Sequence, residues 1–145
     1  MRTPTASRAN ARHLIEALPR PLPRDEEHRA DAVQAALLTS GLLDSSDLGN
    51  SAAVAAAVRD GLTSLAHLLD EAPSGHGAGQ LLVLLLAERE AFTPHPAPTE
   101  DQLQARGAAN ALLHLAMWHT DDDLPLIVSA LQVHAEEARN SAGMP

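Results

Sequence analysis

A chain of 145 residues is the size of one domain and can bury a core without cross-links. It holds no cysteine, which excludes disulfides, zinc–thiolate and iron–sulfur centres, and cysteine nucleophiles. Its net charge of −9 argues against a nucleic-acid surface or docking on an anionic membrane, both of which need clustered cations.

The charge is unevenly spread. Residues 1–24 carry five arginines against one acid, a net of +4, and residues 25–145 carry five against eighteen, a net of −13. The longest apolar run, Leu81–Ala87, falls far short of the about 20 residues that cross a bilayer. The arginine-rich start has no apolar stretch before a cleavage site, so it does not read as a secretory signal, and a cytoplasmic protein is expected. The alphabet lacks Lys and Tyr and is rich in Ala, Leu, Arg and Pro, the residues of GC-rich codons, which suggests a bacterial source.

Six segments have helical spacing and none alternates as a strand does. The first runs from about Thr5 to Leu18, with Ala11, Leu14, Ile15 and Leu18 on one stripe, and Pro19 stops it. The stretch from Pro19 to Pro23 reads as a stiff, extended tether. The second helix starts near Asp25 and ends at Gly41. The third is capped by Asn50 or Ser51, with Val54, Val58, Leu62, Leu65 and Leu69 as its stripe. A glycine-rich connector follows over 73–79.

The fourth helix, about Gln80 to Phe92, is apolar all round in its first half and is expected at the centre of a bundle. Thr99 caps the fifth, with Gln102 completing a capping box. Asp121-Asp122-Asp123 caps the sixth, which has Pro125 in its first turn. Its apolar spacing runs from Leu124 to Ala135, and residues 141–145 are expected to fray. The fold class is therefore all-α, a compact bundle of five to six helices with short loops.

Residues Arg59 to Leu68 and Arg106 to Leu115 align at one offset of 47, which allows a duplicated helical hairpin. In that reading His67 and His114 occupy equivalent places in apolar stretches. Facing each other in a bundle core, they would form a metal or haem site, although a buried histidine satisfied by one hydrogen bond is the commoner case. The same region offers a ligand pocket of His67, His114 and Trp118.

Other metal spacings are weaker. Glu-x-x-His has its nearest match in Asp25-Glu26-Glu27-His28, at a helix start where acids suit the macrodipole. His119 with the acidic triplet reads first as capping. No nucleophile motif or phosphate loop is present.

The organisation expected is a basic N-terminal arm (1–24), an acidic helical body (25–140) and a short tail (141–145). Arg8, Arg12, Leu14, Ile15 and Leu18 are the residues with which the arm would dock on a protein partner or a second copy. The function expected is a non-enzymatic interaction or regulatory protein, self-associating as a homodimer, with no cofactor. A metal- or haem-binding bundle is the first alternative. A small helical enzyme or small-molecule-binding protein with a pocket near His114 and Trp118 is the second.

Overall fold

The computed structural model describes residues 2–71 and 75–142. Six α-helices form it: α1 (Pro4–Ala17), α2 (Glu26–Thr39), α3 (Ser51–Leu69), α4 (Gly77–Arg89), α5 (Glu100–Ala116) and α6 (Leu124–Ala142). A 3₁₀ turn at Ser45–Asp47 links α2 to α3, and no strand occurs among the described residues. The bundle is all-α, as the helical spacing requires.

Local chemistry sets most of the starts. The side chains of Thr3, Asp25, Asn50 and Thr99 accept backbone N–H groups of Ala6, His28, Ala53 and Gln102. Each satisfies a donor that the first helical turn leaves unpaired. The Thr99–Gln102 capping box is complete. Asp122 accepts from the Leu124 N–H at 3.0 Å, so the acidic triplet does cap α6. His119 turns away from it, its Nδ1 3.0 Å from Ser51 Oγ. Within the tail expected to fray, Ser141 and Ala142 are still helical, and 143–145 lie outside the described residues.

The central helix is α3, not α4. Every residue from Gly61 to His67 is buried, and α1, α4, α5 and α6 all pack on α3. Its small residues permit that crowding. A Cβ on Gly61 would lie only 2.7 Å from Leu112 Cδ1 of α5. On α4, Leu81, Leu84 and Leu85 complete the core side, at i, i+3 and i+4 spacing. Leu82, Val83 and Leu86 are 37%, 46% and 43% exposed, so an all-round apolar pattern here marks an outer helix with an uncovered face.

The helix of the basic segment is built into the bundle. Ala11, Leu14 and Leu18 are buried, and α1 packs mainly along α3. Arg2 pairs with Asp60, and Arg8 and Arg12 both pair with Glu71 at the end of α3. The chain thus places its basic segment over acids of its own body.

Candidate metal centre

The C-terminal end of α3 and the second half of α6 bring four titratable side chains together. His67 and Asp70 are three residues apart on one side of α3, and His134 and Glu137 are three apart on α6. His67 is 1% exposed and Glu137 4% exposed. The two imidazole rings lie with their centroids 4.4 Å apart.

Carboxylates only accept, so the ring hydrogens follow from the contacts. His67 Nε2–H donates to Glu137 Oε1 at 3.1 Å. His134 Nε2–H donates to Asp70 Oδ2 at 2.7 Å. Asp70 is held from its other side, where Oδ1 accepts the Gly77 N–H at 2.7 Å. This contact opens α4 and requires glycine. A Cβ on Gly77 would sit 1.9 Å from the Ala66 carbonyl oxygen and 2.7 Å from Asp70. Position 77 is therefore a tight backbone junction within the expected flexible connector. Residues 73 and 74 of that connector lie outside the described residues.

With its hydrogen on Nε2, His67 turns a bare Nδ1 lone pair toward Asp70 Oδ2, 3.6 Å away. Burial, and next the neighbouring His134, lower the His67 pKa below the ordinary histidine value. Glu137 and Asp70 pull the other way and only partly offset this. A neutral His67 leaves an electron pair facing a carboxylate. No arginine pairs with Asp70 or Glu137 among the described residues. Two carboxylates, one of them buried, thus share a corner without a permanent cation, a costly arrangement unless a positive charge enters.

His67, Asp70 and His134 each offer one donor atom, and these atoms all lie within 4.8 Å of one another. Tetrahedral coordination at zinc bond lengths needs donor separations of roughly 3.3 Å. The observed 3.6 and 2.7 Å fall on either side of that value. Glu137 would stand behind His67 on its far nitrogen, the usual outer partner that fixes the tautomer of a ligating histidine. The C-terminus of α3, whose dipole favours cations, points to the same corner.

The residues singled out from the sequence are distributed differently. His67 is in the cluster. His114 is exposed on α5, its Nδ1 3.4 Å from Arg29 NH1, and the structure does not bring it to His67. The two histidines of the hairpin repeat therefore have unlike surroundings. His114 and Trp118 do share a groove, lined also by α2, in which His67 has no part. Of the arm residues, Leu14 and Leu18 are in the core, Ile15 is half-buried, and Arg8 and Arg12 are engaged with Glu71.

Asp70, His134 and Glu137 were not anticipated. Their signal is a repeated His-x-x-acid spacing, His67-Leu68-Leu69-Asp70 and His134-Ala135-Glu136-Glu137, the reverse order of the Glu-x-x-His pattern sought. Comparison with protein-family models, curated proteins and solved structures finds no match to this chain.

Proposed function

We propose that this chain is a divalent-metal-binding helical protein whose centre ties α6 to the α3–α4 corner. The observation that carries the reading is the His67 Nδ1 lone pair facing Asp70 Oδ2, beside a His134 nitrogen that already meets the same oxygen. A divalent ion replaces the proton shared by His134 and Asp70 and neutralises the two carboxylates. Two imidazoles, one carboxylate and no thiolate favour zinc-class ions over calcium or magnesium. Three protein ligands leave a fourth position for water, as in catalytic zinc sites.

The test uses protein purified without a polyhistidine tag and stripped with chelator. One equivalent of Zn(II) should bind, and Co(II) should give tetrahedral visible bands. At metal one hundred times above Kd, linkage adds about 2.7 kcal/mol of stability. For a chain of this size that is about 5–10 °C in Tm. His134→Ala should lose both effects. A Tm indifferent to metal, or binding unchanged in His134→Ala, would sink the proposal.

A second reading, self-association, is favoured by the uncovered apolar face of α4. Leu82 and Leu86 stand four apart on it, and Leu82 borders a shallow cleft shared with Ile127 and Leu131 of α6. Exposed Leu124 and Val128 continue along α6. An apolar strip of this kind suits a second copy of the same surface. Sedimentation should give a dimer that Leu82→Glu with Val128→Glu converts to monomer; a monomer at all concentrations rules this reading out.

A further inference from the structure

A groove of about 520 Å³ runs between α2 and the C-terminal end of α5, within the size range of small-molecule sites. Neither helix supplies a residue of the His67–Asp70–His134–Glu137 cluster. Ala30, Val33, Ala111 and Leu115 form its apolar walls, and exposed Met117 and Trp118 stand at its edge.

Three polar side chains line it, Glu26, Arg29 and His114, and Arg29 is its permanent cation. Six arginines of this chain, Arg2, Arg8, Arg12, Arg59, Arg89 and Arg106, pair with carboxylates. Arg20, Arg24 and Arg139 stand exposed in water. Arg29 is half-buried, and among the described residues no carboxylate lies within ion-pair distance of it. Its Nε is buried with no hydrogen-bond partner. In a chain with 19 acids, a partly desolvated guanidinium without a counter-ion is conspicuous.

The guanidinium is also held in place. NH2 donates to the Arg24 carbonyl at 2.9 Å. NH1 lies 3.4 Å from His114 Nδ1, and because arginine only donates, that nitrogen accepts. The His114 hydrogen is then on Nε2, on the ring edge turned away from Arg29, and its Nδ1 serves to hold the guanidinium. Trp118 and Met117 add a flat ring and a polarisable thioether, surfaces that suit an aromatic ring. Glu26 on the lining disfavours a second negative charge.

We infer that this groove binds a small aromatic monocarboxylate, its carboxylate on Arg29, which His114 helps to hold, and its ring against Trp118 and Met117. Guanidinium–carboxylate pairing supplies orientation, and the aromatic and thioether surfaces supply contact area.

Trp118 is the single tryptophan of a chain without tyrosine, so its fluorescence reports on the groove alone. The unaltered protein is titrated with benzoate and phenylacetate, and in parallel with benzamide and phenylacetamide. Saturable changes are expected for the carboxylates, with the amides at least tenfold weaker. Arg29→Gln should abolish that preference. The inference is overturned if neither carboxylate gives a saturable change, if amides bind as well as carboxylates, or if a folded Arg29→Gln keeps the preference. Should Arg29→Gln fail to fold, the comparison of carboxylate with amide on the unaltered chain decides. Chelator-stripped protein gives the same result, which separates this groove from the metal centre.

Discussion

His67 gives the metal-free protein a sensitivity to acid. Its folded pKa lies below the ordinary value of 6.5, first through burial and then through His134, against the pull of Glu137 and Asp70. The unfolded chain therefore takes up a proton at this position before the folded chain does. Stability is fully present above about pH 6.5 and falls as the pH drops toward the lowered folded value. Urea unfolding of chelator-treated protein at pH 7.5, 6.5 and 5.5 should follow this decline, and His67→Gln should flatten it. A metal-free protein that gains stability over that interval would contradict the assignment. Glu137 acts at one remove, since it touches the far nitrogen of His67. Replacing it by Gln keeps all three donors and should weaken zinc binding by about 10- to 100-fold. Competition with a chromogenic chelator measures this, and an unchanged affinity would place Glu137 outside the centre.

At the scale of elements, the corner between α3 and α4 is held by a backbone contact. Gly77 N–H fixes Asp70 Oδ1, which turns Oδ2 toward the two histidines. Gly77→Ala drives a methyl group into the Ala66 carbonyl, where no flexible side chain can yield. A loss of about 3 kcal/mol in chemical denaturation is expected, at the upper end of overpacking costs. Zinc affinity should fall with it. Gly79→Ala, with nothing within 4 Å of the added carbon, is the control and should leave zinc affinity unchanged and raise stability by about 0.5–1 kcal/mol. The helices themselves were legible from caps and spacing, because Thr99, Asn50 and Asp25 act within one turn of chain. The order of layers was not. An all-apolar turn such as Leu81–Leu86 says that a helix has no polar side, and only the small residues along α3 decide which helix the others surround. The metal centre was half legible for a related reason. His67 and Asp70 share a helical face by spacing alone. Their meeting with His134 and Glu137 depends on how α6 crosses α3, where Thr63 donates to the Ala130 carbonyl at 3.1 Å.

Across the whole molecule, the opposed charges of the two sequence segments are joined within one chain. Arg2, Arg8 and Arg12 meet Asp60 and Glu71, yet partly exposed pairs of this kind contribute at most about 1 kcal/mol each. What holds α1 is the burial of Ala11, Leu14 and Leu18. Two opposing expectations for removing residues 1–18 follow. A detachable arm would leave a folded body with altered association. A helix that fills the core would leave the side of α3 around Gly61, against which Leu14 packs, without cover. Truncating Leu14 alone to Ala should cost about 2–5 kcal/mol, a large share of the about 5–15 kcal/mol that stabilises a typical domain. Removing the whole helix should exceed the remainder. The shortened chain is therefore expected to lose its cooperative thermal transition and its near-ultraviolet signal from Trp118, which lies just beyond the end of α5. Arg8→Ala with Arg12→Ala should shift Tm by only a few degrees. A truncated chain that still melts cooperatively would return residues 1–24 to the role of an arm.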